Sequence, residues 1–313
     1  LFSPGHAYTW ASPKAPKILL KSLFQEGQAL RFKPSLDPQL WLWSLRFLQN
    51  CTAEKTRINT KRKVRLCMYS QEQLHRIASE TKIEYHGVTG GLLYLYRTPE
   101  SFARGSANTR ILSEEGLELR AITPDEAAKI DPALEPVKHK FAGAIYCPSD
   151  ESGDARVFTQ NLAKYCEGQG VKFVFDCDIQ GFRNNPPTVG GVDEDNLVAY
   201  ARFGDRMRVT ATAEFAGFDK SHQPSDYTHM LKAVQDIYPD GADYSQPSYW
   251  AGLRPMTPEG TPIFGAGRYR NLWFNTGHGH IGWTMAPGSA RVTADLIAGK
   301  VPALDLTGMR VMP

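Results

Sequence analysis

The sequence feature that most restricts the fold is a glycine-rich segment that opens onto a helix near the C-terminus. Residues Gly277–Thr284 read GHGHIGWT, and they lead from a predicted strand, Asn271–Thr276, to a predicted helix, Pro287–Ala298. Glycines let backbone amides approach a flat ligand closely, and the N-terminus of a helix offers unpaired N–H groups and partial positive charge. The segment therefore predicts a loop that binds a flat ligand with negative charge. Glycine-rich loops before helices are common, so this segment alone does not identify a function.

Helical and strand periodicities alternate along the rest of the chain. Helices are predicted at residues 18–24, 38–48, 53–79, 155–169 and 225–238. Strands are predicted at residues 91–96, 141–147 and 171–179, and a hairpin at residues 196–212 about Gly204 and Asp205. Asp37 precedes Pro38 as a helix cap, and Thr123–Glu126 is a capping box. The mixture predicts an α+β fold, with helices around a mainly antiparallel sheet.

The composition argues against several classes of function. Lys and Arg total 36 against 33 Asp and Glu, and this net charge of +3 does not favour nucleic acid as a partner. The densest basic stretch, Lys61–Arg65, is interpreted as a solvated helix face. The five cysteines have no CxxC spacing and no histidine cluster beside them, which indicates free thiols in a reducing compartment. No run approaches the ~18 apolar residues of a membrane-spanning helix.

Arg254 is the candidate for binding a carboxylate. Its guanidinium is planar and always charged, and it can make two parallel hydrogen bonds to a carboxylate. Gly252 before it and Pro255 after it would stiffen the backbone that aims it. The residue alone leaves an ordinary surface arginine open as the alternative. His278 and His280 have no cysteine or carboxylate at ligand spacing beside them, so no metal site is predicted there.

Five segments together resemble the bacterial D-amino-acid dehydrogenase small subunits, within the wider flavoprotein family of D-amino-acid oxidase and glycine oxidase. These segments are Ser3–Tyr8, Thr89–Tyr94, Asp150–Asp154, Gly252–Gly265 and Asn275–Ala290. Their order and approximate spacing agree with that family over essentially the whole chain. The resemblance implies FAD as the cofactor. It also implies an α/β FAD-binding domain and a substrate domain built on a mainly antiparallel sheet with helices.

The resemblance assigns roles to individual residues. Arg254 matches the arginine that binds the substrate carboxylate, and His280 falls where a relative has a second basic residue that contacts substrate. Tyr200 lies on the strand that lines the substrate side of the flavin ring, and an aromatic side chain packed on a sheet is the alternative for it. Ile179 sits where a strand backbone touches the adenine. The residues that match the segment against the flavin ring are Gly277, His278, Gly279, Ile281, Gly282, Trp283 and Thr284.

Two parts of the family pattern have no counterpart in this sequence. The family opens with a strand, a GxGxxG turn and a helix that hold the FAD pyrophosphate, and we expect no such turn before a helix here. The family also has several dozen residues where this chain passes from Phe182 to Arg183. We therefore expect a longer protein of which these residues are a part, because both gaps fall in one domain. A truncated remnant is the alternative.

The domain boundaries follow from the same resemblance. Residues 1–37, 146–182 and 251–313 are expected to be parts of the FAD-binding domain, and residues 38–145 and 183–250 are expected to form the substrate domain.

The implied reaction is oxidative deamination of a D-amino acid to a 2-oxo acid and ammonia, with electrons passed to a quinone or another carrier. Trp41, Trp43, Phe47 and Leu48 predict a peripheral membrane contact, for which a buried helix is the alternative. The implied location is the cytoplasm, either free or peripheral on the inner membrane. Two other functions stay open. One is a related flavin oxidase of glycine, sarcosine or proline, and the other is a non-catalytic remnant that binds or scaffolds a partner.

Overall fold

The three-dimensional structure is a computed structural model, and it describes residues 1–22, 30–32, 36–171, 187–196, 198–203, 206–239, 241–268 and 272–311. The helices are α1 (Ala15–Ser22), α2 (Pro38–Asn50), α3 (Ala53–Thr81), α4 (Pro99–Ser113), α5 (Pro124–Ile130), α6 (Ala155–Gly168), α7 (Thr228–Ile237) and α8 (Gly282–Ile297). The strands are β1 (Leu30–Phe32), β2 (Leu92–Tyr96), β3 (Arg120–Ile122), β4 (Gly143–Cys147), β5 (Pro187–Asp193), β6 (Val198–Phe203), β7 (Arg206–Thr210), β8 (Ala213–Phe215), β9 (Ile263–Ala266) and β10 (Trp273–Thr276). Short 3-10 turns lie at Pro4–His6, Pro132–Lys140, Pro224–Tyr227 and Gly279–Ile281.

The described strands form one large sheet and two small pairs. The large sheet has the order β3-β4-β2-β5-β6-β7, and within it only β2 and β5 run parallel. Strands β9 and β10 pair antiparallel, and β1 pairs with β8 in parallel. The predicted α+β class with a mainly antiparallel sheet is confirmed. The predicted hairpin is the β6–β7 pair, while its turn residues and the strand predicted beyond Val171 lie outside the described residues.

Strand β2 shows that the sheet is buried on both faces. Leu92 and Tyr94 belong to one apolar cluster with residues of α3, α4 and α8, whereas Leu93 and Leu95 belong to another with residues of α5 and α7. All four side chains are at most 3% exposed. A strand covered on both faces is a continuous apolar run, and the sequence LLYLY has this character. The face that carries Tyr94 is turned toward the candidate site described below.

Side-chain caps account for several helix starts. Asp37 caps α2, with Pro38 in the first turn, and Thr123 caps α5 in a capping box, both as predicted. Thr98 caps α4 by the same means. Helix α4 is nevertheless absent from the predicted helices, because its sequence is rich in Ser, Asn, Thr and Gly and has little apolar periodicity.

The last helix begins earlier than predicted. Helix α8 starts at Gly282, so Pro287 lies inside it. The expectation of a start near Pro287 is wrong because a proline close to the N-terminus removes one backbone hydrogen bond, to the carbonyl of Trp283, without ending the helix. The N-terminus of α8 consequently lies within the glycine-rich segment itself.

Helix α8 packs closely on α3. The Gly288 N–H donates to Ser70 Oγ at 2.9 Å, and a Cβ at Gly288 would lie only 2.9 Å from the Ser70 Cα. This approach fixes the helix whose N-terminus carries the predicted binding loop.

The basic stretch of α3 differs from its predicted solvated face. Lys61 and Arg65 pair with Glu115, but Lys63 is 1% exposed and donates to the Tyr8 carbonyl at 2.9 Å. Burial lowers the pKa of Lys63 to about 8. The interpretation is therefore wrong for Lys63, whose aliphatic stem lets it enter the core while its ammonium reaches a carbonyl.

Helix α2 has an inward and an outward face. Phe47 is 2% exposed, and Trp43 Nε1 donates to the Met256 carbonyl at 2.9 Å, so these two predicted membrane residues pack inward. The exposed apolar side chains of α2, called here the α2 stripe, are Trp41, Leu42, Leu45 and Leu48. In the described part of the chain, no helix has the length and the hydropathy needed to cross a membrane.

Candidate active site

The glycine-rich loop lies directly against the segment that carries Arg254. The Gly279 N–H donates to the Pro255 carbonyl at 3.0 Å. Gly277 and Gly279 have φ values of +81° and +61°, in the left-handed region that favours glycine. A Cβ at Gly279 would also lie 2.7 Å from Met256 Sδ. Glycine is thus required here both by the backbone conformation and by the close approach of the two segments.

The loop also has the GxGxxG spacing, at Gly277, Gly279 and Gly282, between β10 and α8. The expectation that no GxGxxG precedes a helix is therefore wrong as a statement about spacing. A dinucleotide-binding unit needs two parallel strands on either side of its helix. Here the chain after α8 returns parallel to β9, at the bridge between Phe264 and Arg310, and β9 is antiparallel to β10. The returning segment is antiparallel to β10, so the loop is not a pyrophosphate-binding βαβ unit.

Arg254 and His280 lie on one aromatic side chain, that of Trp10. The Cζ atom of Arg254 is 5.4 Å from the centroid of the Trp10 ring. The His280 ring is stacked on Trp10, with centroids 4.8 Å apart and an interplanar angle of 18°. Arg254 is exposed, and within the described residues no carboxylate pairs with its guanidinium. The structure therefore brings these two predicted site residues together and leaves a cation available to a carboxylate from solvent.

His280 is held as a neutral imidazole. Burial lowers its pKa well below the ordinary value, and the charges of Lys63, His6 and Arg254 lower it further. Both ring nitrogens are buried and have no hydrogen-bond partner among the described residues. A buried polar atom without a partner costs about 1–3 kcal/mol, so the two nitrogens indicate that a ligand completes their hydrogen bonds.

Trp283 and Thr284 connect the loop to the segment at residues 2–3. The Trp283 ring packs edge-on against Phe2 and Phe158, with centroids 5.8 and 5.1 Å away. Its Nε1 is buried and unpartnered within the described residues. Thr284 Oγ1 accepts a hydrogen bond from the Ser3 N–H at 3.1 Å.

His278 and Ile281 face the protein rather than the open side of the loop. His278 Nε2 is 2.9 Å from Ser289 Oγ on α8, and Ile281 is 7% exposed in the apolar cluster that contains Tyr94. The N-terminus of α8 has no side-chain cap and no acidic residue in its first turn. Its partial positive charge is therefore not offset by a side chain of the helix.

His6, to which the sequence analysis assigns no role, lies beside His280. The two rings meet edge to face with centroids 6.0 Å apart, and His6 is stacked on Tyr94 at 5.8 Å. His6 Nδ1 is 3.2 Å from Glu194 Oε1. His6 and Tyr94 both belong to segments that carry the family resemblance, and this is the feature of the sequence that points to them. Glu194 follows β5 far along the chain, and no spacing connects it to His6.

A cleft of about 450 Å³ opens beside His6. Residues that adjoin or contact His6, namely Gly5, Tyr94 and Glu194, line one side of it, and Arg104 and Asn108 of α4 line another.

The structure places Tyr200 away from this cluster. Its side chain is 3% exposed, its hydroxyl lies 3.4 Å from that of Tyr238, and it packs in the cluster of Leu93, on the sheet face opposite to Tyr94. This corrects the expectation of a substrate contact, because Tyr200 is an aromatic packed on a sheet. Ile179 lies outside the described residues.

Comparison of the whole sequence with known proteins agrees with this geometry. The FAD dependent oxidoreductase family matches residues 36–201 and 185–296. The chain is 38% identical to D-amino acid dehydrogenase 2 of Mesorhizobium japonicum over 367 residues, which cover 99% of this chain and 88% of that protein. It is 36% identical to the D-amino acid dehydrogenase of Xanthobacter autotrophicus, with coverage of 99% and 87%. The chain belongs to the FAD-dependent oxidoreductase family.

This FAD-dependent oxidoreductase shares its fold with solved structures at lower identity. Glycine oxidase from Geobacillus kaustophilus superposes with a TM-score of 0.62 at 20% identity, covering 80% of this chain and 82% of that one. L-proline dehydrogenase from P. horikoshii gives 0.62 at 17% identity, covering 77% and 80%. At these identities the likeness concerns the fold alone.

The alignment with the Mesorhizobium protein also bears on the predicted break between Phe182 and Arg183. It extends over 367 residues, more than the 313 of this oxidoreductase, so the relative has internal residues without a counterpart here. Residues 172–186, which include the break, lie outside the described part of the chain.

The described residues fit the ring portion of FAD. The unpartnered nitrogens of His280 can hydrogen-bond to a polar ring edge, and the unpartnered Nε1 of Trp283 lies in the first turn of α8. The uncapped N-terminus of α8 suits negative charge on that ring. Groups for the pyrophosphate and the ribose are not identified among the described residues.

Proposed function

We propose that this oxidoreductase catalyses the FAD-dependent oxidative deamination of D-amino acids to 2-oxo acids and ammonia. The observation that carries the proposal is the unpaired guanidinium of Arg254 on the Trp10 ring, next to a neutral His280 with two unpartnered nitrogens. An amino-acid carboxylate is the ligand that such a guanidinium recognises best. The names of the two dehydrogenase relatives support the same substrate class.

The roles of the residues follow from their positions. Arg254 binds the substrate carboxylate and so fixes the orientation of the Cα–H bond. His280, being uncharged, adds no second cation beside Arg254 and offers hydrogen bonds to ligand atoms. FAD, when bound, supplies the acceptor for the two electrons and the hydrogen of Cα. The N-terminus of α8 stabilises negative charge that develops near it. Water then hydrolyses the imino acid to the 2-oxo acid and ammonia.

The same proposal covers the domain assignment and the acceptor. Residues 1–37, 146–182 and 251–313 are proposed as parts of the FAD-binding domain, and 38–145 and 183–250 as the substrate domain. This assignment is supported by the loop and by Arg254, which both lie in the third of the FAD-binding segments.

The acceptor is proposed to be a quinone or another carrier reached at the inner membrane surface, from the cytoplasmic side. The exposed α2 stripe supports that contact, since four apolar side chains between 46% and 55% exposed lie on one short helix.

The test is a comparison of flavin content and electron acceptor. The purified protein should show flavin absorption bands and should reduce a quinone analogue with D-amino acids, but not with their L-enantiomers. Production of peroxide from glycine, sarcosine or proline under air would support the amine-oxidase alternative instead. Absence of flavin bands, with no turnover, would favour the non-catalytic remnant.

A further inference from the structure

Oxidation of an amino acid also requires a group that accepts a proton from the amine, and neither Arg254 nor His280 is suited to that role. An amino acid binds from neutral solution with its amine protonated. The lone pair of the amine forms the new C=N bond as hydride leaves Cα, so one ammonium proton has to be removed first. This inference rests on the proposed function, because only an amine substrate imposes that requirement.

Three basic side chains in or near the glycine-rich loop are unsuited to accept the proton. His280 binds protons too weakly, because its pKa lies well below the ordinary value through burial and the nearby charges. His278 is turned to Ser289 on α8. The Lys63 ammonium is buried and already donates to the Tyr8 carbonyl.

His6 has the geometry that the others lack. Its Nδ1 is held by Glu194 at 3.2 Å, and within the described residues Nε2 has no hydrogen-bond partner. Stacking on Tyr94 fixes the plane of the imidazole, which meets the His280 ring edge to face. Its side chain is 29% exposed and so reaches solvent, and its neighbours Gly5, Tyr94 and Glu194 line a cleft. A carboxylate on one imidazole nitrogen sets the tautomer that leaves the other nitrogen free to accept a proton.

The charges around His6 favour its protonated form. Burial opposes protonation, but the Glu194 carboxylate outweighs it and raises the pKa of His6 above its ordinary value. The charge of Lys63 on α3 lowers the pKa of His6, whereas the charge of Asp150, after β4, raises it as Glu194 does. His280 is neutral, and burial raises the pKa of Tyr94 and so keeps its phenol uncharged. An acceptor that titrates near working pH is the most effective kind of general base.

We propose that His6, oriented by Glu194, accepts the proton that the substrate ammonium loses before Cα is oxidised. One ammonium N–H bond breaks and an Nε2–H bond forms, without any change in oxidation state. The imidazolium is stabilised by the Glu194 carboxylate. It returns its proton to water at its exposed edge before the next turnover.

The kinetic test compares pH profiles of kcat/KM for four flavin-containing proteins. In the wild type, kcat/KM should fall on the acidic side as His6 becomes protonated. His6→Gln should lower kcat/KM roughly 100-fold at neutral pH, within the usual range for a general base, and should lose that acidic limb. Its defect should shrink at alkaline pH, where the substrate amine is already neutral. Glu194→Gln should move the limb to lower pH.

His75→Gln is the matched control, because His75 pairs with Glu151 at 2.6 Å at a position that the mechanism does not use. It should keep the wild-type profile. A His6→Gln protein with wild-type kcat/KM and an intact acidic limb would overturn the proposal.

A second measurement needs no turnover. Histidine-selective NMR titration should show the His6 imidazole losing its proton at a lower pH in Glu194→Gln than in the wild type. An unchanged His6 titration would overturn the pairing, and with it the proposal, whatever the kinetics show. A wild type that oxidises no D-amino acid would overturn the proposed function first and this inference through it. If the wild type oxidises D-amino acids and the His6→Gln protein does so equally well, this inference alone is rejected.

Discussion

The ring of Trp10 determines where the guanidinium of Arg254 lies. A guanidinium over an aromatic face keeps its edge free for hydrogen bonds, so the stack positions the cation without neutralising it. The sequence does not identify Trp10 as a site residue, because a tryptophan in a loop has no spacing relation to an arginine more than two hundred residues away. The arginine itself could be predicted, since its chemistry and flanking residues are local.

Replacing Arg254 tests its role in binding. Arg254→Gln should raise KM for D-amino acids roughly 100-fold, because it removes charge-assisted hydrogen bonds to the carboxylate, while the flavin content stays unchanged. Steady-state kinetics and the flavin absorption spectrum measure the two effects. Arg208→Gln is the matched control, since Arg208 lies over the Trp250 ring in the same kind of stack, at 4.9 Å. Equal KM values for both variants would contradict the assignment.

Asp150 makes stability depend on pH. It is 0% exposed, and it accepts hydrogen bonds from the Gly5 N–H and the Tyr94 hydroxyl. Burial raises its pKa from 3.8 to about 6, against the effect of those hydrogen bonds. A carboxyl whose pKa is higher in the folded protein stabilises the fold in its protonated form. Its contribution is present below about pH 4 and is lost as the pH rises through 6.

Asp150→Asn should remove that dependence. Between pH 4 and pH 7 the wild type should lose about 3 kcal/mol more unfolding free energy than the variant does, as a shift of two pKa units implies. Urea unfolding at a series of pH values measures the difference. Asp305→Asn, a substitution of an exposed carboxylate, should follow the wild type. Parallel curves for the wild type and Asp150→Asn would show that the buried carboxyl does not control stability.

Helix α2 has several exposed apolar side chains on its outward face, of which Trp41 also contacts the Phe32 ring. Trp41, Leu45 and Leu48 follow one another at helical spacing, and the exposed Arg46 lies on the same helix. Apolar side chains with a nearby cation are the arrangement that binds an anionic membrane surface.

A double substitution tests this contact. The Trp41→Glu, Leu45→Glu protein should sediment several-fold less with anionic liposomes than the wild type, because two charges would enter the apolar interface. Gln39→Glu adds a charge to the same helix away from the α2 stripe and should sediment like the wild type. Equal sedimentation of all three proteins would reject the membrane contact and leave a soluble carrier as the acceptor.

Elements with strong local signals could be predicted, and those without them could not. Helix α3 and the capped start of α5 follow from periodicity and from a capping box. Helix α4 lacks an apolar stripe, and its position is decided by packing against the sheet. The start of α8 is not predictable from Pro287, because proline is typical of a first helical turn but is also tolerated one turn further in, where α8 has it. The site could be predicted where one segment supplies it, as in Gly277–Thr284.

At the scale of the whole molecule, residues distant in sequence hold the site together. Thr284→Val should lower the stability of the entire protein, because the buried Ser3 N–H loses its acceptor, at a cost of about 1–3 kcal/mol. Differential scanning calorimetry should show a melting temperature several degrees lower than that of Thr293→Val, a control on the same helix whose hydroxyl bonds only to the Ser289 carbonyl. Equal melting temperatures would mean that the Ser3 contact adds nothing.

The hydrogen bond between Ser3 and Thr284 spans 281 residues of sequence, and it has a consequence for biosynthesis. A ribosome releases the chain in order, so the Ser3 N–H lacks its acceptor until α8 has emerged from the exit tunnel, although Phe2 and Gly5 can already pair with Glu151 and Asp150. The β6–β7 hairpin and the capped helices can form during translation, since their contacts are local. The contact between the first residues and the glycine-rich loop is therefore completed only after α8 has been translated. Chains that stop short of α8 would lack this contact, and the segment at residues 2–10 would be more open to proteolysis.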